Sequence, residues 1–324
     1  MGPSPNAGAP RIEHRFSAQR SSISTSGIVM SIKTHDCAAI AKAMHHGGYF
    51  ERIMQSGPEL DRVKTYLRSF EQPALASARP PDQSPDYPLF PGLRHRAFWD
   101  EADLPAARQL QAHAPIIHDE WAALTDAQCL RYTPTSMHNL WQVHLLHYMG
   151  IDLEPLNPQA CPKTHALLRQ LPGICLDYPW GDALLSVHAS DSHLRAHCSV
   201  DNLRVRCHLG LQIPPGCCIR VGQETMAWQE GKVLLFEDSF EHEVWNRGDR
   251  RRAILIVDFW HPDLTPIEIE ALTAGFCKRE VRQQFMYKRL QAAHPVPERL
   301  THHLQTQLEH QEARPPLQRY WSNT

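Results

Sequence analysis

Arginine and histidine side chains share one face of a predicted strand, where they could meet either solvent or a ligand. The segment 203–213 alternates apolar residues with Arg204, Arg206 and His208. Because alternate residues of a strand point to opposite faces, these three polar side chains lie together. An arginine fork can pair with a carboxylate, and an imidazole can bind a metal. A solvated face of an antiparallel sheet is the simplest interpretation, and the lining of a barrel cavity is the alternative.

Two other predicted strands carry similar side chains. Ser186 and His188 share one face of the segment 183–188, and Arg252 opens the otherwise apolar run 252–259. A charge at the start of a core strand is unusual, because unpaired charges are rarely buried. The pattern therefore favours a specific role for the charge of Arg252 over a plain core strand.

Short β-rich segments separated by turn residues predict the framework that positions these side chains. They are 183–188, 203–213, 217–221, 232–237, 242–246 and 252–259. Closely spaced strands of this kind predict a sandwich or a jelly-roll barrel, and hence a mainly β core. Apolar periodicity predicts flanking helices over 36–71, 104–124, 266–291 and 297–312, and prolines predict an extended connector over 72–93.

Composition excludes several classes of protein. The chain has 324 residues and a net charge of −2, so it offers no basic surface for nucleic acid. Its longest apolar runs, such as 253–257, are far shorter than the roughly 20 residues of a membrane span. Nine cysteines without a Cys-x-x-Cys pair indicate reduced thiols and a cytoplasmic protein rather than a disulfide framework. Residues 1–30 are expected to form a disordered leader.

Three strings of residues resemble a known family. They are RVRCHLGLQIP (204–214), WQEGKVLLFEDSFEHEVWN (228–246) and IVDFWHPDLTP (256–266). They resemble the aspartyl/asparaginyl β-hydroxylases, which are Fe(II)- and 2-oxoglutarate-dependent oxygenases. The resemblance implies a double-stranded β-helix, a jelly-roll or cupin-like core, over residues 88–266. It leaves a helical segment and connector at 31–87 and a helical extension at 267–324 outside the oxygenase domain.

The resemblance also implies a metal centre. The family's iron-binding histidines fall on His197 and His242, and a neutral imidazole is a good ligand for Fe(II). Most oxygenases of this mechanism add a carboxylate two residues after the first histidine, but Ser199 occupies that position here. The best-known members of the resembled family likewise use two histidines alone. Dioxygen is the implied oxidant.

The implied cosubstrate residues are Ser186, Arg206, His208 and Arg252. Arg252 would pair with the distal carboxylate of 2-oxoglutarate through its planar fork. Ser186 and His208 would add neutral hydrogen bonds to the same molecule.

The implied substrate residues are Arg204, Trp141 and Gln142, while a family lysine is replaced by Leu184. We expect hydroxylation of the β-carbon of an aspartyl or asparaginyl residue in a peptide, or of a similar small molecule. The lost lysine leaves open an oxygenase that modifies a small natural product or a carrier-bound intermediate. A non-catalytic jelly-roll binding protein is the remaining alternative.

The sequence leaves open whether the C-terminal helices contact solvent, the cleft or a second copy of the chain. The C-terminal helices carry a mixed-charge stretch from Lys278 to Arg289, which reads most simply as a solvated helix face. A lid over the cleft or a homodimer contact is the alternative. No nucleic acid and no membrane are expected as partners.

Overall fold

The computed structural model describes residues 34–132, 137–138, 140–290, 293–294, 297–311 and 315–321. The predicted leader 1–30 lies outside these residues. The strands are β1 (Phe98–Trp99), β2 (Leu130–Tyr132), β3 (Met137–His138), β4 (Trp141–Tyr148), β5 (Ile151–Asp152), β6 (Ala183–His188), β7 (Ser192–His197), β8 (Arg204–Gln212), β9 (Cys217–Val221), β10 (Glu224–Met226), β11 (Val233–Phe236), β12 (His242–Asn246), β13 (Arg252–Trp260) and β14 (Ala293–His294).

The α-helices flank this β core along the chain. They are α1 (Thr34–His46), α2 (Tyr49–Met54), α3 (Asp61–Glu71), α4 (Pro105–Ala112), α5 (Ala114–Ala122), α6 (Pro162–Leu168), α7 (Pro266–Cys277), α8 (Arg279–Leu290), α9 (Glu298–Gln311) and α10 (Pro315–Tyr320). Within the described residues, no helix is both long and apolar enough to cross a bilayer.

Two antiparallel sheets form the core. The large sheet has the order β1-β11-β8-β13-β6-β4-β2-β14, with β5 added beside β4, and the small sheet has the order β10-β9-β12-β7-β3. Apolar residues from both sheets pack in one cluster, such as Ile254 of β13 against Val244 of β12 and Ile219 of β9. The sheets therefore face each other across a barrel interior, which confirms the predicted double-stranded β-helix.

Strand β8 decides between the two interpretations of its alternating pattern. Its apolar side chains, including Val205 and Leu209, pack outward in a cluster with Leu110 of α4 and Ile117 of α5. Its polar face consequently points into the barrel. A helix layer that covers the apolar face gains the hydrophobic free energy of burial, and Arg204, Arg206 and His208 are left to line the interior.

The N-terminal helices α1 to α3 and the C-terminal helices pack together beside the barrel. Helices α1 to α3 share one apolar cluster with α7, α8 and α10. Tyr49 of α2 stacks on Trp321 with ring centroids 5.1 Å apart and donates a 2.7 Å hydrogen bond to the carbonyl of Ala271 in α7. Much of the apolar surface of α7 and α8 is thus covered within the chain, and the homodimer contact stays a prediction.

Candidate active site

The structure brings His197 and His242 side by side. His197 ends β7 and His242 begins β12, and the two residues are directly paired across these neighbouring strands. Their ring centroids are 4.2 Å apart. Each Nδ1 lies within hydrogen-bond distance of the carbonyl two residues earlier, at 2.8 Å for His197 and 2.9 Å for His242. Because a carbonyl only accepts, each Nδ1 carries the proton, and each Nε2 keeps a lone pair for a metal.

Desolvation favours the neutral, metal-binding form of both imidazoles, of which His242 is buried and His197 is partly exposed. Desolvation lowers the pKa of His197, and it lowers the pKa of His242 well below the usual value. Among the described residues, no histidine, cysteine or carboxylate joins these two histidines in a group of three whose ligand atoms all lie within 4.8 Å of one another. The hydroxyl of Ser199 instead accepts a 2.7 Å hydrogen bond from Arg204. The geometry fits the two-histidine set that the resemblance implies.

Arg252 is a buried cation that has no counter-ion among the residues that the structure describes. Its side chain is on the inner face of β13 and only 1% of the residue is exposed. In the described part of the chain, Nε and Nη1 have no hydrogen-bond partner and no carboxylate lies within ion-pair distance. Its guanidinium sits 4.8 Å from the ring centre of Trp228, and desolvation lowers its pKa to about 10. Burial of an unpaired charge costs folding free energy, and such groups cluster at functional sites, here one that suits an anion.

Hydrogen-bond donors surround this arginine. Trp228 donates its indole N–H to Nδ1 of His208 at 3.3 Å, so the proton of His208 resides on Nε2. That buried Nε2 has no partner in the described residues. His188 is paired with Arg252 across β6 and β13, and its own Nδ1 is likewise unpartnered. These groups form a buried polar cluster with unsatisfied nitrogens that a carboxylate could satisfy.

Trp141 has a role that the sequence did not reveal. Its indole N–H donates a 2.9 Å hydrogen bond to the hydroxyl of Ser186, which leaves the hydroxyl proton free to donate. Its ring also packs edge-on against His188, with centroids 5.2 Å apart. Trp141 was predicted to bind substrate, and the structure shows that it also orients a predicted cosubstrate residue.

Two of the predicted binding arginines already have acidic partners. Arg206 pairs with both oxygens of Asp258 at 2.8 Å and has Asp238 at 3.1 Å. Arg204 is 1% exposed and pairs with Asp258 at 3.0 Å and Asp201 at 3.3 Å. The contributions of Arg206 to 2-oxoglutarate binding and of Arg204 to substrate binding therefore stay predictions, and both arginines line the cavity described below. Paired charges attract a further carboxylate weakly, so Arg252 is the stronger anion site.

Gln142 lies on a different face of β4 from Trp141. Its neighbours Trp141 and Val143 lie on the inner face of β4, where Val143 joins the core between the sheets. Alternation along the strand directs Gln142 to the outer face of the large sheet. A contact between Gln142 and substrate therefore stays a prediction, and it would have to be made from the outer face of the sheet.

A cavity of about 230 Å³ opens on the inner face of the large sheet. Its lining includes Trp141, Leu184, Ser199, Arg206, Trp180 and Arg289. Ser199, two residues beyond His197 along the chain, is the part of this lining nearest in sequence to the histidine pair. Arg289, from the C-terminal extension, pairs with Asp182 at 2.8 Å at the edge of this space. The extension thus contributes a side chain to the candidate substrate cavity, whereas its mixed-charge sequence favoured a solvated helix face over a lid.

Sequence reasoning missed Asp258 and Trp228. Asp258 stands in a strand that is buried throughout, between Val257 and Phe259. A lone carboxylate in such a run requires a cationic partner, and this was the available signal. Trp228 lies within the recognised string 228–246, but nothing in that string assigns it to Arg252.

Asp258 supplies the first prediction. The Asp258→Ala variant should lose about 3–5 kcal/mol of unfolding free energy, because Arg204 and Arg206 would each lose a buried partner, at 3.0 and 2.8 Å respectively. Burial opposes ionisation of Asp258, yet these two arginines hold its pKa below the usual value. Urea unfolding measures the effect. Asp249→Ala, at a side chain that is 92% exposed, should change stability by less than about 0.5 kcal/mol. Equal effects of the two variants would refute the structural role.

The barrel and its paired histidines define a jelly-roll protein with a candidate metal centre. The family model for aspartyl/asparaginyl β-hydroxylases matches residues 111–262. Mouse aspartate β-hydroxylase domain-containing protein 2 is 30% identical over 256 residues, which cover 72% of this chain and 72% of that protein. This chain belongs to the aspartyl/asparaginyl β-hydroxylase family, as its strings predicted.

Two human relatives show how far the similarity extends. Aspartate β-hydroxylase domain-containing protein 1 is 42% identical over 71% of this chain and 57% of its own length. Aspartyl/asparaginyl β-hydroxylase is 36% identical over 56% of this chain, but over only 25% of its own length. The chain thus spans somewhat over half the length of the first relative and about a quarter of the length of the second.

Proposed function

We propose that this chain is an Fe(II)- and 2-oxoglutarate-dependent dioxygenase that hydroxylates the β-carbon of an aspartyl or asparaginyl residue, or of a similar small substrate. The observation that carries the proposal is Arg252, a buried cation without a carboxylate partner in the described residues. It lies on the sheet that faces the His197–His242 pair. A dicarboxylate fits this arrangement, because one end can reach the metal while the other meets the guanidinium.

The residues of the site fit the implied iron and cosubstrate. His197 and His242 would hold Fe(II) through Nε2, since Nδ1 of each is already bonded to a backbone carbonyl. Bound iron, 2-oxoglutarate and dioxygen would supply the oxidation, in which 2-oxoglutarate becomes succinate and carbon dioxide and one oxygen atom enters a C–H bond of the substrate.

The protein itself provides position and charge. Arg252 would pair with the distal carboxylate, while Nε2–H of His208 and the hydroxyl of Ser186 would donate hydrogen bonds to it. Trp228 and Trp141 orient these two donors by donating an indole N–H to each of them. The two sheets exclude water from this wall, which strengthens each interaction. No general base is assigned.

The cavity supports two kinds of substrate. Its charged edge, with Arg206, Asp182 and Arg289, suits a polar group such as an aspartyl or asparaginyl side chain. Its apolar wall includes Leu184 and Ile256, and this favours the second candidate, an oxygenase that modifies a small natural product. We also propose a cytoplasmic location, which the nine free cysteines support.

Release of succinate tests the proposal. With Fe(II), 2-oxoglutarate and dioxygen, a peptide that contains Asp or Asn should raise the rate of succinate release at least about tenfold over the substrate-free rate, with a matching gain of one oxygen in the peptide. The same peptide with Ala at that position is the control. Stimulation by small natural products but by no Asp or Asn compound would favour the second candidate. Absence of succinate under every condition would refute both.

A further inference from the structure

A second group of metal-binding side chains lies on the outer side of the large sheet. The hairpin formed by β4 and β5 pairs His147 directly with Asp152. Its turn, Met149-Gly150, has both residues at positive φ, 58° and 76°, which a tight two-residue hairpin requires. Helix α6 then brings His165 to the same carboxylate. This group shares no residue with the His197–His242 pair.

The distances in this group differ from those of hydrogen bonds. Nε2 of His147 and Nδ1 of His165 each lie 3.5 Å from the same oxygen, Oδ1 of Asp152. Hydrogen bonds of this type are about 2.7–3.2 Å long. Ligands around a tetrahedral metal with bonds of about 2.0–2.1 Å are spaced about 3.3 Å apart. The ligand atoms of all three residues lie within 4.8 Å of one another.

Three ring nitrogen atoms of the two histidines have no hydrogen-bond partner among the described residues. They are both ring nitrogens of His147 and Nδ1 of His165, and all three are buried. Buried polar atoms are nearly always satisfied, so the two that face one carboxylate, Nε2 of His147 and Nδ1 of His165, indicate a ligand that they share with it. The side chain of Asp152 is 31% exposed, so a cation can enter from solvent.

A neighbouring arginine holds the carboxylate of Asp152 in the way expected for a metal ligand. Arg169 lies one turn after His165 on the C-terminal side of α6 and bonds the other oxygen of Asp152, and it also bonds Glu154. A partner on the second oxygen fixes the orientation of a ligating carboxylate. Glu154 offsets the positive charge of Arg169, so that charge does not by itself exclude a dication.

We propose that His147, Asp152 and His165 form a binding site for a divalent transition metal, with Zn²⁺ as the preferred ion and solvent as the fourth ligand. Two imidazoles and one carboxylate are an established donor set for this ion. The metal would join α6 to the β4–β5 hairpin and thereby stabilise the outer layer of the barrel. The site is separate from the proposed oxygenase centre.

Zinc stoichiometry tests this proposal in the full-length chain. The His197→Ala/His242→Ala variant removes the oxygenase centre, and equilibrium dialysis followed by elemental analysis should find one Zn²⁺ per chain. Adding His165→Gln, which preserves size, should remove this ion or weaken its binding by more than about 100-fold, because even residues behind a ligand contribute about 10–100-fold. Co²⁺ in place of Zn²⁺ should give the visible absorption of a tetrahedral site.

Two further variants separate metal binding from folding. His144→Ala is the matched control, because His144 lies on the same strand and its Nδ1 already bonds the carbonyl of Gln128 at 2.7 Å. It should retain the ion. Asp152→Asn should lose it while the far-ultraviolet circular dichroism stays unchanged. Absence of bound Zn²⁺ in the parent double variant, or stoichiometry that survives His165→Gln and Asp152→Asn, would overturn the proposal.

Discussion

The His242→Ala variant is expected to lose ferrous iron at the proposed oxygenase centre, with binding weakened by more than about 100-fold and succinate release reduced to background. His242 and His197 present their Nε2 atoms from paired positions of adjacent strands. No histidine, cysteine or carboxylate of the described residues joins them in a group of three whose ligand atoms all lie within 4.8 Å of one another. A centre with two protein ligands cannot retain its ion after losing one of them. Anaerobic titration with Fe(II) and 2-oxoglutarate, followed through the visible charge-transfer band of the chelate, measures the loss.

His193→Ala is the matched control for this experiment. His193 lies on β7 with His197, but it bonds Glu243 at 2.6 Å and stacks on Trp245 with ring centroids 5.4 Å apart. It is part of the outer face of the small sheet, so its removal should leave the band intact. A band of equal intensity in His242→Ala would contradict the assignment of the iron ligands.

The Arg252→Met variant should show two opposite effects. The KM for 2-oxoglutarate should rise at least about 30-fold, because loss of one partner of a buried charge pair costs about 2–5 kcal/mol. The unfolding free energy of the ligand-free protein should rise by about 1 kcal/mol or more, because an unpaired buried charge is replaced by an apolar side chain of similar length. Steady-state kinetics and urea unfolding measure the two effects.

The opposite signs distinguish binding from a purely structural role. A structural arginine would lower stability when removed, whereas a ligand-binding arginine raises the stability of the empty protein. Addition of 2-oxoglutarate should stabilise the parent protein but not Arg252→Met, since a ligand stabilises only the state that binds it. Arg250→Met is the control, because that side chain is 65% exposed. An unchanged KM in Arg252→Met would contradict the proposed anion site.

Much of the fold could be predicted from local patterns. The alternation in 203–213 and the apolar runs around it predicted the strands that became β8, β9, β11, β12 and β13. Strand β4 was missed because its residues are largely buried on both faces, so the sequence LWQVHLLHYMG shows no alternation. Strand β7 was missed as well, although the recognised family placed an iron ligand, His197, at its end.

The site was predictable only in part. Residue types and the recognised strings identified the histidine pair and Arg252 as candidates. They could not show that Arg204 and Arg206 are paired with Asp258, because an ion pair depends on partners from other strands. They could not place Gln142 on the outer face or connect Trp141 to Ser186, because these relations depend on the register between β4 and β6.

The sequence alone determined the mainly β class, the family and the side chains able to bind a metal and a dicarboxylate, because these follow from alternation, composition and recognisable strings. The tertiary structure decided that Arg252 has no carboxylate partner among the described residues, which tautomer His197, His242 and His208 hold and that His147, Asp152 and His165 meet. Each of these depends on groups that are distant along the chain and adjacent in space. Burial then sets the energy of each charge through its neighbours, which no local pattern of residues records.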